Sequence, residues 1–377
     1  MNIENLKSEF TNKYGAIPRI FRAPGRVNLI GEHTDYNDGF VMPCAIDFAT
    51  FVAASARTDR KIRVASSNFE GESEFDLDDQ SVEIAESWAR YVQGVASILE
   101  RKGNLLRGAN LLINSNVPIG AGLSSSAALE VSTAFALSSI SEIKIEKWDL
   151  AKIGQLAEHE FAGVRSGIMD QFASTFGVEN HALFLDCRSL NWSPIPLSTA
   201  KFIICNTRTK HELADGEYNK RRADCEAAAS LLGHQSLRDV SFAEFNEKSS
   251  ELPERLQKRA RHVITENRRV LEAVDFLQKN DLAEFGRLMN ESHESLRSDY
   301  EVSSRELDLM VKIVRQQNGV LGARMTGGGF GGCTVNLLES EASEAFVEKV
   351  SAEYQKITGI SPEIYVCNAS DGVSEII

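Results

Sequence analysis

The chain has 377 residues, of which 42% are hydrophobic and 25% are charged, a composition typical of globular proteins. This length exceeds the size to which one hydrophobic core usually grows, so we expect two domains. The net charge of −13 argues against a general surface for nucleic acid or membrane, while a local basic cleft would be compatible with it.

Cysteine usage and apolar runs bear on the cellular compartment. The six cysteines are scattered without a Cys-x-x-Cys pair, which favours reduced thiols over a disulfide framework or a zinc site. The first residues contain no apolar signal-peptide core, and no run of 18 apolar residues occurs. We therefore expect a cytoplasmic protein with no nucleic-acid or membrane partner.

The first half of the chain alternates helical and extended patterns. Residues 2–15 have the periodicity of a short amphipathic helix, and an apolar stretch that ends at Ile30 indicates a buried strand. The other elements predicted in this half are strands over 41–56, 61–67, 108–117 and 182–187 and helices over 83–101, 127–138 and 148–162.

The second half is predominantly helical. Pro194 and Pro196 mark a boundary near residue 190, which would divide an N-terminal domain (1–190) from a C-terminal domain (191–377). The elements predicted beyond it are a strand over 201–206, a mostly helical region over 216–294, a strand after the glycine-rich segment 325–333, a helix over 340–358 and a closing strand over 363–367.

Residues 118–126 form a glycine- and serine-rich loop between the strand over 108–117 and the helix over 127–138. Glycines let the backbone approach a bulky anion, and a helix N-terminus attracts negative charge. No lysine lies between Arg107 and Lys144, which excludes a Walker A loop, and Ser125 stands where a dinucleotide fingerprint needs glycine. The pattern predicts a cradle for nucleotide phosphates; the alternative is an ordinary turn with a serine N-cap.

A polar cluster, Glu32-His33-Thr34-Asp35, follows the buried strand that ends at Ile30. Carboxylates accept hydrogen bonds from pairs of hydroxyl groups, and histidine can donate or accept, so the cluster suits recognition of a polyhydroxylated ligand. An acidic surface turn is the alternative interpretation.

Two charged residues are candidates for phosphoryl transfer. Arg26 precedes the apolar part of the strand, and Asp170 lies between apolar neighbours, where its carboxylate needs a partner if it is buried. Arginine can offset charge on a transferring phosphoryl group, and aspartate can orient or deprotonate a hydroxyl. Arg26 could equally be a solvated or salt-bridged side chain at the end of an element.

Glu158 could complete a magnesium site with Ser126, because Mg²⁺ takes few protein oxygens and fills its remaining positions with water and phosphate. By itself, Glu158 would be interpreted as an exposed helical glutamate. The glycine run over 327–332 is broken only by Phe330 and is either a tight connection or a place where the backbone approaches a bound group closely.

Together these motifs resemble the GHMP small-molecule kinases, and the galactokinases among them. The resemblance rests on the galactokinase signature at 25–37, the phosphate motif at 118–128, the third motif at 326–333, and further matches at 167–171, 217–222 and 297–302. It spans nearly the whole chain. It implies an α+β, two-domain GHMP kinase fold with the active site in the interdomain cleft.

The implied activity is ATP-dependent phosphorylation of D-galactose at the C1 hydroxyl, which gives galactose 1-phosphate and ADP. Thr34 and Asn37 follow the galactokinase form of the signature, which favours galactose. A sister kinase acting on N-acetylgalactosamine or arabinose and a catalytically silent galactose and ATP sensor are the alternatives. The implied partners are small molecules only, and we expect a monomer.

The resemblance also implies roles for individual residues. Arg26 would stabilise the transition state, and Asp170 would orient the C1 hydroxyl or act as its base. The residues implied in sugar binding are Glu32, His33, Thr34, Asp35, Gly167 and Tyr218. Those implied in ATP binding are Gly120, Ala121, Gly122, Leu123, Ser124, Ser125, Ser126 and, at the adenine, Trp88. Ser126 and Glu158 would hold Mg²⁺.

One position departs from the family pattern. Gly216 stands where family members more often carry a serine, and we expect it to loosen a loop that presents Tyr218, with a modest effect on sugar preference.

Overall fold

The structure is a computed structural model, and it describes residues 2–79, 84–210, 214–339 and 344–377. Its strands are β1 (Arg19–Ile30), β2 (Phe40–Ala56), β3 (Lys61–Ser66), β4 (Glu72–Asp76), β5 (Ala109–Ser115), β6 (His181–Asp186), β7 (Trp192–Pro196), β8 (Lys201–Lys210), β9 (Val320–Thr326), β10 (Gly331–Leu338), β11 (Glu363–Cys367) and β12 (Ser374–Ile376). Its α-helices are α1 (Ile3–Tyr14), α2 (Ser87–Arg101), α3 (Ser125–Ile140), α4 (Lys147–Ala157), α5 (Met169–Phe176), α6 (Ala214–Leu231), α7 (Phe242–Lys248), α8 (Glu254–Gln278), α9 (Leu282–Ser298), α10 (Arg305–Arg315) and α11 (Glu344–Thr358).

The first sheet belongs mainly to the N-terminal half. Its strand order is β12-β1-β2-β5-β3-β4, β6 also pairs with β2, and β7 pairs with β6. All pairs are antiparallel except β3 with β5. Helices α2, α3 and α4 pack together against this sheet. Helix α3 is apolar on nearly all sides because it is enclosed by the sheet and by neighbouring helices.

The second sheet belongs to the C-terminal half. Its order is β11-β8-β10-β9, and its pairs are antiparallel. Helices α9 and α10 contact β9, and α11 packs against α10. Helices α6, α7 and α8 form a helical layer with a core of its own. Both halves thus combine a mainly antiparallel sheet with helices packed against it, as in an α+β fold.

The two halves are joined by buried polar contacts between β1 and β9. Arg324 is completely buried and donates from Nη1 to the Asn28 carbonyl oxygen at 3.0 Å. The Thr326 hydroxyl donates to the same carbonyl oxygen at 3.0 Å and accepts from the Asn28 N–H at 3.1 Å. These contacts hold the glycine run of the C-terminal half beside the polar cluster of the N-terminal half.

The chain crosses between the halves more than once. Strand β7 lies beyond residue 190 and still pairs with β6, while β12 returns from the C-terminus to pair with β1. The division near residue 190 stays a prediction. No helix in the described part of the chain combines the length and apolarity that crossing a bilayer requires.

Most predicted elements are confirmed with small shifts at their ends. The helix predicted over 148–162 is wrong in its last turn, because α4 ends at Ala157 and a π-helical turn (Glu158–Ala162) follows. Such turns occur often at functional sites. Strands β4, β7, β9 and β12 and helices α5 and α10 were not predicted. Residue 83 and residues 340–343, included in two predicted helices, lie outside the described residues.

Candidate active site

Two adjoining cavities have volumes of about 290 Å³ and 580 Å³; the smaller one opens between the two halves, and the larger one is lined by the N-terminal half alone. Both are lined by Ser125 and Ser126, the first residues of α3. The smaller one, here called the catalytic cavity, is otherwise lined by Arg26, Glu32, His33, Asp35, Gly120, Gly122, Ser124, Glu158, Val164, Ser166, Met169, Asp170, Tyr218, Gly327 and Gly328. Residues from both halves therefore meet in one cavity.

The glycine- and serine-rich loop turns sharply into α3. Gly120 and Gly122 have φ of 71° and 76°, and Ser124 has φ of 59°, so three residues lie in the left-handed region. Ser124 precedes the helix without capping it; its hydroxyl donates instead to Asp170 Oδ2 at 2.6 Å. The alternative of an ordinary serine-capped turn is therefore wrong. Ala121 and Leu123 are buried beneath the loop and anchor it.

The glycine run packs directly against this loop. A Cβ atom on Gly327 would lie 3.1 Å from the Gly122 carbonyl oxygen, and Gly327 also has φ of 83°. A Cβ on Gly332 would lie 3.3 Å from the Ala121 carbonyl oxygen. Glycine is thus required because two backbone segments approach each other, so the run is a tight connection that also borders the catalytic cavity.

Arg26 and Asp170 form a buried ion pair at the floor of this cavity. Arg26 Nε and Nη2 lie 2.8 Å and 2.6 Å from Asp170 Oδ1, and Arg26 Nη1 donates to the Gly122 carbonyl oxygen at 2.7 Å. The side chains of Arg26 and Asp170 are 5% and 21% exposed, so the aspartate is the member that faces the cavity. Asp170, which was expected to need a partner if buried, is thus paired with Arg26.

Arg26 follows an irregularity in the pairing of β1. The register of β1 against β2 shifts between Pro24 and Arg26, where three residues of β2 lie opposite Gly25. At Gly25, a Cβ atom would lie 2.6 Å from the Leu123 carbonyl oxygen, and that same oxygen accepts from the Arg26 N–H at 3.1 Å. The glycine allows β1 and the loop to pack closely enough for Arg26 to reach Asp170.

Glu158 is 7% exposed rather than an exposed helical residue. Its Oε1 accepts from the Ser126 hydroxyl at 3.0 Å, and its Oε2 accepts from the Ser166 hydroxyl and from Gln171 Nε2. Gln171 also donates to Glu130, which is completely buried. Burial, followed by the charge of Glu158, raises the pKa of Glu130 well above its ordinary value, which favours its neutral form.

The serine and glutamate oxygens fit a hard divalent cation. Both side chains line the catalytic cavity, and two protein oxygens suit Mg²⁺, which keeps water and phosphate oxygens in its other positions. Within the described ranges, no cluster of three or more His, Cys, Asp or Glu side chains could hold a metal ion by itself. These two side chains could therefore hold a divalent cation only together with ligands from outside the protein.

The polar cluster after β1 is buried, so the alternative of an acidic surface turn is wrong. Glu32 Oε1 accepts from the Gly327 N–H at 2.8 Å and from the Thr326 hydroxyl at 3.2 Å. Thr34 is completely buried, and its hydroxyl donates to the carbonyl oxygens of Gly31 and Phe40, so it shapes the turn rather than lining the cavity.

Four acidic groups share the cavity with one arginine, and burial affects the pKa values of Glu32 and Asp35 among them. Burial, followed by the charges of Asp170 and Glu32, raises the pKa of Asp35 to about 7. Burial also raises the pKa of Glu32, although Arg324 and Arg26 act against it. For Arg26, burial works to lower the pKa, but the charges of Asp170 and Glu32 raise it overall. The guanidinium therefore stays charged.

Gly167 lies against one residue of the cavity wall, and Tyr218 is part of that wall. A Cβ atom on Gly167 would lie 2.1 Å from Asp35 Oδ2, so glycine makes room for that carboxylate. Tyr218 lines the cavity from helix α6. The expected loop is wrong: α6 begins at Ala214, so Gly216 lies in its first turn and Tyr218 is presented by a helix.

Trp88 lies in the larger cavity, at the start of α2. Its ring is nearly parallel to that of Phe69, with centroids 6.3 Å apart and an interplanar angle of 10°. This cavity adjoins the glycine- and serine-rich loop through Ser125 and Ser126. An aromatic group entering it could therefore stack on Trp88 while a phosphate reached the loop.

Several contacts were not predicted from the sequence. They are the bond from Ser124 to Asp170, the support of Glu158 by Ser166 and Gln171, and the contact of Glu32 with the glycine run. Each joins segments whose proximity no local pattern encodes. The one feature of the sequence that could have indicated a role for Gln171 is its position inside segment 167–171, which matches the family.

Comparison with known proteins agrees with this geometry. A family model described as the galactokinase galactose-binding signature matches residues 8–56. Models for the N-terminal domain and the C-terminal region of GHMP kinases match residues 90–178 and 273–356. These matches cover both halves of the structure and define the class of protein as a GHMP kinase.

Relatives that align over the whole chain show which family of GHMP kinases it belongs to. Galactokinase from Roseiflexus sp. (strain RS-1) is 47% identical over 379 residues, which cover 99% of this chain and 97% of that protein. Galactokinase from Clostridium beijerinckii is 45% identical over 386 residues, with 100% and 99% coverage. The chain belongs to the galactokinase family.

Solved structures agree with the assignment to the GHMP kinases and with the assignment to the galactokinase family. The crystal structure of Lactococcus lactis galactokinase complexed with galactose has a TM-score of 0.95 and 37% sequence identity, and the match covers 99% of this chain and all of that one. Mevalonate kinase from Methanococcus jannaschii, at 19% identity and a TM-score of 0.66 over 95% of this chain, shares the fold alone. The predicted two-domain GHMP kinase fold is confirmed.

Proposed function

We propose that the protein transfers the γ-phosphoryl group of ATP to the C1 hydroxyl of D-galactose, giving galactose 1-phosphate and ADP. The observation that carries this proposal is the Arg26–Asp170 pair, which lies between a phosphate-type loop and a buried cluster of hydroxyl-binding side chains. Family membership supports the same activity, since the full-length relatives are galactokinases and one is solved with galactose.

The nucleotide would occupy the larger cavity and the loop. Its base would stack against Trp88, and its phosphates would lie at the N-terminus of α3, against the backbone of residues 120–126. Exposed N–H groups and the helix dipole favour phosphate there. Since the loop carries no lysine, positive charge must come from Arg26 and from a bound cation.

The sugar would lie on the other side of Asp170, against the polar cluster. Glu32 and Asp35 supply carboxylate acceptors for hydroxyl groups, and His33 and Tyr218 supply ring groups that can donate or accept. Gly167 keeps the Asp35 carboxylate within the cavity. Because Thr34 uses its hydroxyl in the turn, its contribution to sugar binding would be indirect.

In the transfer, the C1 oxygen forms a bond to the γ-phosphorus while the bond from that phosphorus to the β–γ bridging oxygen breaks. Asp170 accepts the hydrogen bond of the C1 hydroxyl, aims the oxygen at phosphorus, and is the acceptor for its proton. The Arg26 guanidinium offsets charge on the transferring group and holds Asp170 in place. Ser124 fixes the other carboxylate oxygen.

Ser126 and Glu158 would hold Mg²⁺. When bound there with ATP, the cation neutralises phosphate charge and orients the phosphates. Ser166 and Gln171 keep the Glu158 carboxylate directed at Ser126. These residues act by positioning oxygen ligands.

A substrate panel tests the activity. Purified protein with Mg-ATP is given galactose, N-acetylgalactosamine, arabinose and glucose, and the position of the phosphate is assigned by phosphorus NMR. We expect the highest kcat/KM with galactose and a product phosphorylated at C1. Binding of galactose and ATP without turnover would indicate a silent sensor, and a higher kcat/KM with another sugar would indicate a sister kinase.

We further propose that the protein acts as a cytoplasmic monomer on small molecules. In the part of the chain that the structure describes, large exposed hydrophobic side chains such as Ile17, Leu105 and Ile119 are scattered along the chain. Light scattering after size exclusion should give a mass near 41.6 kDa. A mass of twice that value would contradict the monomer.

A further inference from the structure

A chain of polar groups lies buried behind the sugar side of the catalytic cavity. His33 Nδ1 is 2.8 Å from the Tyr36 hydroxyl, and the Tyr36 hydroxyl is 2.8 Å from the Tyr300 hydroxyl. The Cys225 thiol lies 3.1 Å from the Tyr300 hydroxyl. We call Tyr36, Tyr300 and Cys225 the hydroxyl chain. Nothing in the transfer chemistry above uses it.

The His33 ring is fixed at the end of this chain. Its backbone has φ of 63°, a left-handed conformation that its surroundings must enforce, and its carbonyl oxygen accepts from Asn37 Nδ2 at 2.8 Å. The ring packs against Tyr300, with centroids 4.8 Å apart, and against Tyr218 at 5.4 Å. The side chain is therefore held in one orientation.

The second ring nitrogen of His33 is the informative atom. His33 is 3% exposed and lines the catalytic cavity. Its Nε2 makes no well-aligned hydrogen bond among the described residues, and the Gly328 backbone is the neighbouring protein group that acts against the fall in the pKa of the ring. A buried polar atom without a partner costs free energy, so a ligand group that bonds it would gain that energy on binding. Burial, followed by the charges of His262 and Arg221, lowers the pKa of His33 well below its ordinary value. The ring is thus neutral, and one nitrogen carries the proton.

The chemistry of the hydroxyl chain decides which ring nitrogen of His33 carries the proton. A phenol is a stronger hydrogen-bond donor than a neutral imidazole N–H, and an imidazole lone pair is a stronger acceptor than a phenol oxygen. The favoured direction therefore runs from the Cys225 thiol to the Tyr300 oxygen, from the Tyr300 hydroxyl to the Tyr36 oxygen, and from the Tyr36 hydroxyl to Nδ1. His33 Nε2 is then left with the proton.

We propose that the hydroxyl chain holds neutral His33 in the Nε2-protonated tautomer, so that this ring donates a hydrogen bond to a sugar oxygen. The inference rests on the proposed function for the identity of the ligand. It gives the pocket a division of roles: His33 donates to a sugar hydroxyl oxygen, and that hydroxyl in turn donates to a carboxylate such as Asp35. A ring that accepted at Nε2 would instead compete with the carboxylates for the same proton. Tyr36, Tyr300 and Cys225 are thus positioning residues.

Nitrogen NMR tests the tautomer directly. Protein labelled with ¹⁵N in its histidine rings is examined without ligands, and the His33 signals are identified by their loss in His33→Gln. We expect a non-protonated Nδ1 and a protonated Nε2 in the wild type. On saturation with galactose, the Nε2–H signal should shift. A protonated Nδ1 in the wild type would overturn the proposal.

Variants of the hydroxyl chain give the functional readout. Tyr36→Phe keeps the ring but removes the donor to Nδ1, so we expect mixed tautomers and a KM for galactose raised about fivefold, with kcat nearly unchanged, as for loss of one neutral hydrogen bond used in ground-state binding. Tyr300→Phe leaves the Tyr36 hydroxyl in place as the donor to Nδ1, so it should have a smaller effect on the tautomer and on the KM for galactose. Tyr354→Phe is the matched control, because Tyr354 is completely buried and its hydroxyl donates to the Thr207 carbonyl oxygen outside the cavity.

The outcomes separate this inference from the proposed function. An unchanged tautomer in Tyr36→Phe refutes the role of the hydroxyl chain, whether or not the enzyme phosphorylates galactose. An Nε2–H signal that stays fixed at saturating galactose in an active enzyme refutes the contact between His33 and the sugar. If galactose is not phosphorylated while the tautomer behaves as expected, the hydroxyl chain stands and the proposed substrate does not.

Discussion

Removing Arg26 and Asp170 singly and together tests whether the pair acts as one unit. The guanidinium makes two contacts to Asp170 Oδ1, at 2.8 Å and 2.6 Å. Hydrogen bonds to charged groups contribute about 1.5–3 kcal/mol each, so losing both removes about 3–6 kcal/mol of positioning. That range corresponds to a loss of roughly 10²–10⁴ in rate, and we expect Arg26→Ala and Asp170→Ala each to lower kcat by about 10³ or more.

The double variant is the sharper measurement. If Arg26 acts largely through Asp170, the second substitution should lower kcat little further than the first. We then expect kcat of the double variant to fall by about 10³–10⁴, whereas independent effects would multiply to about 10⁶. Single-turnover release of phosphorylated sugar gives the rates, and calorimetric titration of ATP and galactose separates binding from transfer.

A matched pair controls for the cost of breaking a partly buried ion pair. Arg238 and Asp186 also form a bidentate pair, with Nη2 donating to Oδ2 at 2.8 Å, and neither residue lines either cavity. Arg238→Ala should lower the thermal unfolding midpoint and leave kcat within about twofold. Near-wild-type rates in Arg26→Ala, or fully multiplicative losses in the double variant, would refute the assigned unit.

Three further experiments probe other parts of the site. Since the raised pKa of Asp35, about 7, leaves its carboxyl protonated at lower pH, kcat/KM for galactose should fall about tenfold per pH unit below that value, and Asp35→Asn should lose this limb; an identical profile in the variant contradicts it. Glu158→Gln should raise the Mg²⁺ concentration needed for half-maximal rate by about tenfold or more, whereas a change in kcat alone, without a shift in the Mg²⁺ titration, would argue against the metal role. Gly25→Ala would place its Cβ 2.6 Å from the Leu123 carbonyl oxygen, so we expect a loss of about 1–3 kcal/mol in the free energy of unfolding by urea; unchanged stability would show that the loop can move away.

Sequence alone determined the features that depend on neighbouring residues. A strand, a glycine- and serine-rich loop and a helix follow one another within residues 108–138, and local backbone preferences are enough to predict that order. The resemblance of the motifs to those of the GHMP kinases implied the family and the α+β fold, both of which are confirmed. The sequence also indicated that Asp170, which lies between apolar neighbours, would need a partner if it were buried.

Only the tertiary structure decided what each side chain touches. A serine of the loop could have capped the helix, but the hydroxyl of Ser124, which precedes the helix, bonds Asp170, which is 46 residues away. Thr34 belongs to the predicted sugar cluster, yet its hydroxyl is used by the turn. Glu158 is buried because distant segments close over it, and β12 returns to a sheet that begins more than 300 residues earlier. Burial and long-range partners arise from packing of remote segments, which no local pattern of residues encodes.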